Sequence, residues 1–525
     1  MDTKALRQKI LDLAIRGKLV PQDPNDEPAS VLLERICAEK QQMVKDGKLK
    51  AKDIKNDTVI FKGEDNLHYE KFADGTVKCI EDEIPFELPE RWEWCRLINI
   101  CSKLIDGDHN PPKGEDTVTQ YLMLSSTNIN NDTLVELEKV RYLSKDIFDK
   151  ENQRTDVNIG DIFFTSVGSI GRSCVYTGGF NICFQRSVSV IRTFILNEYL
   201  KRYLDAPFIQ NKIAREATGT AQKGFYLNQL SNCLIAVPPI NEQQKIANAV
   251  NKLMEYIVSI ETDKTTLQDL IKQTKSKILD LAIRGKLVPQ DPNDEPASVL
   301  LECIRTEKEE LIKQGKIKRD KKESVIFKGE DNSYYLKIGN LTETLDDWRI
   351  DDIPDSWGVC CLGEVCDYGN CTNVDTKDIP ETAWILDLED IEKDTGKVLQ
   401  KLTLKERNSA STKHSFHKGQ VLYSKLRPYL NKVVLADDEG YCTSEILPLD
   451  FNDMVYPKYA RYYLMSPTFL KYANYCSYGV KMPRLGTNDG KKAILTVPPL
   501  QEQHRIVNAI ETIFAKLDEI ANALS

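Results

Sequence analysis

The chain has no apolar run approaching the roughly 20 residues that cross a bilayer, and Met1 to Arg7 hold no apolar core like that of a signal peptide. These absences predict a soluble, cytoplasmic protein, no membrane partner, and 14 cysteines kept as reduced thiols. There is no G-x-x-x-x-G-K-[ST] string, so no P-loop supports ATP-driven work. Cys360, Cys361, Cys366 and Cys371 cluster, but without Cys-x-x-Cys spacing or a nearby histidine; they read as thiols, and no metal site is expected. Asn110-Pro-Pro112 invites comparison with the catalytic loop of adenine methyltransferases. That loop needs an aromatic next, to stack on a flipped base, and here Lys113 follows with no glycine-rich cofactor loop before it. A turn is the better reading.

A net positive charge is also lacking, although charged residues are abundant. The net charge of −9 argues mildly against a nucleic-acid partner. Its distribution weakens that objection. Arg154 to Lys223 holds nine Lys/Arg against five Asp/Glu, and Lys413 to Lys492 twelve against seven. Two basic stretches therefore sit within an acidic protein.

What the sequence does have is a duplicated frame. Lys9 to Glu34 (KILDLAIRGKLVPQDPNDEPASVLLE) recurs unchanged as Lys277 to Glu302. Thr58 to Asn66 is answered by Ser324 to Asn332, and Val237 to Gln243 (VPPINEQ) by Val497 to Gln503 (VPPLQEQ). Between these lie two stretches with little mutual similarity, roughly Leu97 to Ala236 and Leu362 to Thr496. One frame holding two unlike inserts suits an object that reads two different things at a fixed spacing.

The strongest periodicity follows Pro239. Ile246, Val250, Leu253, Ile257, Ile260, Lys264, Leu267, Ile271, Thr274, Ile278 and Leu281 alternate in steps of four and three, and only Lys264 and Thr274 are polar. A sustained 3.5-residue period predicts a coiled-coil helix, about 65 Å long at 1.5 Å per residue. Asn241 is the expected N-cap, with Gln244 completing a capping box, and Gly285 the expected stop. The C-terminus carries the same pattern at Ile506, Ile510, Ile513, Leu517, Ile520 and Leu524, and the N-terminus at Leu6, Ile10 and Leu13. The chain ends are expected to pack antiparallel along the central helix; association of two chains through the same seam is the alternative.

Smaller features come in pairs too. Pro21 to Pro24 predicts a turn, with Asp26 capping a short helix through Ile36. Basic connectors, Lys45 to Lys55 and Lys308 to Lys322, read as exposed and mobile. Within the inserts, Asp161 to Thr165 and Gln420 to Ser424 alternate as strands, and Glu198 to Glu216 and Lys458 to Tyr475 read as helical. The LVPQDPNDEPASVLLE strings have two readings, a structural turn plus helix or docking surfaces for two copies of one partner.

This layout resembles the specificity subunit of a type I restriction–modification enzyme over essentially the whole chain. Local strings resemble the family's as well: Ile84 to Trp94 (IPFELPERWEW), Ile105 to His109, Gly168 to Gly171, Gly219 to Gly224, Ser424 to Lys432, Lys481 to Leu485, and both Pro-Pro-x-x-Glu-Gln turns. The resemblance implies an α+β chain: two mixed α/β target-recognition domains separated by long helices forming an antiparallel coiled coil, with an internal pseudo-two-fold repeat. The expected division is a repeat segment over 1–36, a connector over 37–96, the first recognition domain over 97–240 and a helical spacer over 241–304. A connector over 305–357, the second recognition domain over 358–500 and a C-terminal helix over 501–525 follow.

The resemblance further implies a non-catalytic reader of a bipartite, asymmetric site in double-stranded DNA. It would hold two methyltransferase subunits and, through them, restriction subunits, with no cofactor of its own. Two modules on one face of B-DNA are favoured when centred about 34 Å apart, a distance a stiff helix can hold. Candidate DNA contacts in the first insert are His109, Lys113, Ser169, Arg172, Gln222 and Lys223; in the second, Lys425, Arg427, Tyr429, Lys432, Lys481 and Arg484. All lie near glycine or proline in residue types that meet phosphate or base edges. The rival reading is a coiled-coil adaptor whose two globular inserts bind proteins.

Overall fold

A computed structural model describes residues 2–219, 223–316, 324–331, 333–345, 353–451 and 455–524. The chain separates into two compact units, Met1–Asp263 and Lys264–Ser525, and the boundary falls inside one helix, Ile240–Ile283, of 44 residues.

In the first unit the N-terminal helix Thr3–Ile15 is capped by Asp2, whose carboxylate accepts from the Ala5 amide. It stops at Gly17, which has φ +65°, and a Cβ there would lie 2.5 Å from the Pro89 ring. Only glycine fits both the left-handed turn and that approach. A second helix, Ala29–Lys45, leads to a three-stranded antiparallel meander of Val59–Lys62, His68–Lys71 and Val77–Cys79. The insert then opens on strand Glu93–Arg96 and closes on Leu234–Val237, and these two pair antiparallel. Entry and exit of the recognition domain are thus pinned side by side. Inside lie a four-stranded antiparallel sheet, built on Ile162–Thr165 and Val188–Thr193 at its centre, and a three-stranded sheet around Tyr121–Leu124. Ile162, Phe163 and Phe164 are all fully buried.

The second unit repeats the frame. Gly285 has φ +68°, and a Cβ there would lie 2.4 Å from the Pro354 ring. Helix Ala297–Lys313 and a meander of Ser324–Lys328, Tyr334–Ile338 and Leu341–Thr344 follow. Strand Gly358–Cys361 pairs with Ile494–Val497 to pin the second insert. Its interior differs: a five-stranded sheet around Lys413–Phe416 and Gly440–Thr443, and a three-stranded one centred on Val421–Ser424.

Each insert is bolted to its helix by one clamp. The buried Trp92 indole N–H donates to Glu242 Oε2 at 3.0 Å, and Trp357 donates to Glu502 Oε2 at 3.0 Å. Gln243 accepts from the Leu196 amide at 2.9 Å, and Gln503 from the Tyr456 amide at 2.7 Å. Each glutamine also donates to a proline carbonyl, Pro238 or Pro498, at 2.9 Å. The Glu-Gln of each Pro-Pro-x-x-Glu-Gln turn therefore fixes both ends of an insert to the first helical turn.

Several expectations need correction. The spacer helix begins at Ile240, so Asn241 is already helical; its amide donates to Asp26 Oδ1 instead of capping. Asp26 does not cap either. Pro28 precedes a helix that runs to Lys45, well past Ile36, while buried Asp26 receives Asn241 and Lys245. Lys308 to Lys313 is the end of a helix and not a loose connector; residues 317–323 lie outside the described ones. The helical stretches of the inserts are broken before Pro207 and Pro467, giving Asn197–Leu204 and Pro207–Glu216 in one and Pro457–Leu464 and Pro467–Tyr475 in the other. Proline cannot donate the amide bond that would continue either helix.

The seam is uneven. Ile246, Val250 and Ile257 are buried in the first unit, and Ile271, Ile278, Ile506 and Ile510 in the second. Ile260 and Leu267 are exposed.

Candidate nucleic-acid interface

In the first insert four loops meet at one end of the central sheet, joined by main-chain hydrogen bonds. Asp108 accepts from the Arg186 amide at 2.8 Å and donates to the Phe184 carbonyl at 2.8 Å. Ser166 donates to the Ser187 carbonyl, and Phe225 to the Ser166 carbonyl, both at 2.8 Å. Val167 and Gly224 form an isolated bridge. The loop after strand Ile162–Thr165 and the loop before Phe225 thus clasp each other, with Gly168 at φ +84°.

The second insert, with little sequence similarity, builds the same clasp. Lys425 donates to the Glu445 carbonyl, and Leu485 to the Lys425 carbonyl, each at 3.0 Å. Leu426 bridges Arg484 where Val167 bridges Gly224, and Tyr478 bridges Arg484 where Thr218 bridges Gly224. The position of Gly168 is taken by Arg427, at φ +49°. A left-handed arginine costs about 1–2 kcal/mol, so its side chain is retained at a position the fold alone would give to glycine. Its amide donates to the Pro483 carbonyl at 2.7 Å and its guanidinium reaches the Lys481 carbonyl at 3.4 Å, while its buried Nε has no partner among the described residues.

The candidate contacts distribute as follows. Arg172 is exposed, its amide fixed by Thr165 Oγ1 at 2.9 Å and its guanidinium reaching the Ile129 carbonyl only at 3.5 Å. Ser169 is half-buried in the same loop, and its carbonyl accepts from Thr165 Oγ1. Lys223 and Lys113 are exposed. His109 is exposed and bonded through Nε2 to Asp106, which Arg154 also pairs. Gln222 lies outside the described residues. The Asn110-Pro-Pro112 segment is a bend running into irregular chain: Asp108 accepts from the Asn110 amide at 3.0 Å, and Arg141 donates to the Pro112 carbonyl.

In the second insert Arg427, Lys425 and half-exposed Tyr429 lie in the first clasp loop, and exposed Lys481 in the other. Two candidates are already engaged. Lys432 donates to the Leu388 carbonyl at 2.6 Å, and burial pulls its ammonium below the usual lysine range. Arg484 forms a bidentate pair with Glu445. Both brace the clasp from within.

Two groups escaped the sequence reading. Tyr475 and Tyr478 stand exposed beside the second clasp with Val480 and Met482. Tyr199 and Tyr203 donate to the Ala236 and Leu234 carbonyls, and Tyr459 and Tyr463 to those of Thr496 and Ile494. These tyrosine pairs lock helices Asn197–Leu204 and Pro457–Leu464 onto the exit strands. A Tyr-x-x-x-Tyr spacing in both inserts was the available signal.

A pinned α+β insert presenting two clasped loops, made twice in one chain, is the geometry of a paired recognition module. The family model of the type I restriction modification DNA specificity domain matches residues 89–268 and again 354–525. The chain belongs to the type I restriction–modification DNA specificity family. It is 30% identical over 416 residues to the type I restriction enzyme EcoAI specificity subunit of Escherichia coli, covering 70% of this chain and 63% of that one. It is 26% identical to the EcoEI specificity subunit of Escherichia coli, covering 99% of this chain and 90% of that one. Among solved structures, a chain from a study of complex assembly and conformational transition of the type I R-M system aligns with a TM-score of 0.50 at 18% identity, over 84% of this chain and 94% of that one. Among the described residues no helix is long and apolar enough to cross a membrane, and no group of histidine, cysteine and carboxylate side chains could hold a metal.

Proposed function

We propose that this chain is the DNA reader of a type I restriction–modification complex. Each insert reads one half of a bipartite, asymmetric site, and the spacer helix sets the gap between halves. The chain is the scaffold, and methylation and cleavage belong to two methyltransferase subunits and to restriction subunits that join through them. The observation that carries the reading is the clasp. The same main-chain framework appears in both specificity domains, yet nearly every side chain it presents differs. A scaffold kept constant while its displayed residues change is what reading two unlike sequences requires.

An antiparallel helical ruler is part of the proposal. Support comes from each unit taken alone. In the first, Arg7 pairs Glu261 at 2.8 Å while Asp26 receives Asn241. In the second, Lys275 pairs Asp518 while Gln290 donates to Glu502 at 2.6 Å. In both, residues early in one segment meet residues late in the other, the order antiparallel packing gives.

The test is methylation mapping of host DNA with and without this gene, beside binding measurements on the purified complex. The expected result is one bipartite sequence whose methylation depends on the gene, bound with steep salt dependence. Binding without sequence preference or salt dependence, even with a methyltransferase present, would instead mark an adaptor whose inserts hold proteins.

A further inference from the structure

The meanders Val59–Cys79 and Ser324–Thr344 lie outside both segments matched by the specificity-domain model. In the first, one face points inward. Buried Glu70 accepts from Thr58 Oγ1 at 2.7 Å and pairs Arg96 on the entry strand at 2.6 Å. In the second meander, the position of Glu70 is Leu336 and that of Arg96 is Cys361. There Ile326, Leu336, Leu345, Val359 and Cys361 form an apolar cluster. The inner faces share a buried isoleucine, Ile60 or Ile326, and differ beside it, with an ion pair in one and hydrocarbon in the other.

On the outer face the first two strands are unchanged and the third differs: Cys79 and Val77 lie against Tyr69 and Lys71, where Thr344 and Thr342 lie against Tyr335 and Lys337. Strand pairing sets Phe61 against Tyr69 and Val59 against Lys71 in one meander, and Phe327 against Tyr335 and Val325 against Lys337 in the other. The rings stack alike, with centroids 5.9 Å apart at 26° and 5.7 Å apart at 22°. Each tyrosine hydroxyl donates to a turn carboxylate, Asp65 or Asp331, at 2.7 Å. Phe61 is 39% exposed and Phe327 42%. Folding requires the buried side of a small sheet to be kept and leaves its wet side free to drift. Here the buried Glu70–Arg96 pair has no counterpart in the second meander, while the exposed Phe-Tyr pair is the same in both. By contrast, the repeated segment around Asp26 and Asp294 is held by internal pairs to Lys245 and Arg505, so the frame itself accounts for it.

We propose that the Val-Phe-Tyr-Lys faces of the two meanders are docking sites for two copies of one protein partner, the methyltransferase subunit of the complex. This rests on the reading above. One surface made twice fits one partner taken twice. The face suits protein better than nucleic acid. It is apolar and aromatic at its centre, and carboxylates outnumber lysines around it, seven against three from Val59 to Glu83 with buried Glu70 included, and three against two from Ser324 to Leu345, a surround that does not attract phosphate. The matching partner element has an apolar or aromatic centre ringed by cationic side chains.

The experiment mixes the full-length chain with its methyltransferase subunit and counts copies bound by native mass spectrometry, with affinities from titration. The wild-type chain should take two copies, Phe61→Asp or Phe327→Asp alone one, and the double variant none at concentrations that saturate the wild type. Each lost site should weaken by about thirty-fold. Val59→Lys with Val325→Lys, at an exposed and a half-buried position outside the buried faces, should do the same if an aspartate variant fails to fold. Two copies bound at unchanged affinity by all variants would overturn the docking faces and leave the DNA-reading function standing. A wild-type chain that takes no methyltransferase would overturn the scaffold reading and the docking faces with it. Weakened DNA binding by the double variant without methyltransferase, or loss of a self-dimer, would reassign the faces to nucleic acid or to a second copy.

Discussion

The two units share one frame and differ in what they display, and the difference is sharpest at Gly168 and Arg427. Both stand at the same point of the same clasp with φ positive, at +84° and +49°. The first unit meets the backbone demand with glycine, and its exposed charges are elsewhere, on Arg172 four residues on and on Lys223 in the opposing loop. The second places a guanidinium directly on the strained position. A clasp therefore fixes where the main chain goes and leaves open which atoms it offers. That separation lets two heads with one architecture be specific for different bases.

The largest effect should come from breaking the ruler that the comparison presumes. Inserting one heptad into the spacer helix after Asp263 should cut affinity for the native bipartite site by about a thousandfold, toward nonspecific levels. A site with an altered gap should recover it. Binding selections over randomised gaps measure this, and an unchanged preferred gap would remove the helix from the mechanism.

Next in size are the two frame glycines, where the units ought to respond alike. Gly17→Ala and Gly285→Ala each force a left-handed alanine against a proline ring, with Cβ approaches of 2.5 and 2.4 Å. Each should cost about 2–4 kcal/mol in denaturant unfolding. A cost at one glycine only would show that the repeat is not used equivalently in the two halves.

How much of this was legible beforehand follows from which signals are local. The frame was legible because identical strings and a helical period are written in consecutive residues. The full burial of the seam was not: Ile260 and Leu267 have the right spacing but are exposed, because a period says where a partner would sit and not whether one is present. Asn241 and Asp26 each suit a helix cap by type, yet they bond to each other, a long-range pairing that no local pattern reveals. The clasps were half legible. Glycine- and proline-marked loops pointed to Arg172 and Arg427, but sequence could not tell displayed charges from braces such as Lys432 and Arg484. Their partners, Leu388 in a short 3-10 helix and Glu445 in a turn between strands, lie 44 and 39 residues away in sequence.

The Gly168–Arg427 contrast itself sets the third test. Arg427→Gly copies the first unit's solution into the second. It should stabilise the fold by about 1 kcal/mol through relief of the left-handed strain, while discrimination at one half-site falls by about 1–3 kcal/mol. The other half-site should be read as before. Unfolding and competition binding on sites mutated in either half give the two numbers. Equal loss in both halves would count against modular reading.

The smallest effect lies in the clamp, where the units look identical but are not. Glu502 Oε1 accepts from Gln290 at 2.6 Å, whereas buried Glu242 Oε1 has no partner among the described residues and Gln22 donates to the Gly17 carbonyl. Burial raises both carboxyls above the ordinary glutamate range. A raised acid favours the folded state while it is protonated. Its stabilising share is complete below the ordinary glutamate value and is lost as pH rises through the higher folded value. Glutamine keeps an oxygen for the tryptophan N–H and does not titrate. Glu242→Gln should therefore change stability at neutral pH by no more than about 0.5 kcal/mol, in the favourable direction, because it replaces an unmatched charge. Glu502→Gln should cost about 1 kcal/mol, because its amide would turn a donor toward the Gln290 amide. Unfolding of the two variants across the acid-to-neutral range decides it: each should flatten the profile, and equal energies at neutral pH would mean that the Gln290 bond contributes nothing.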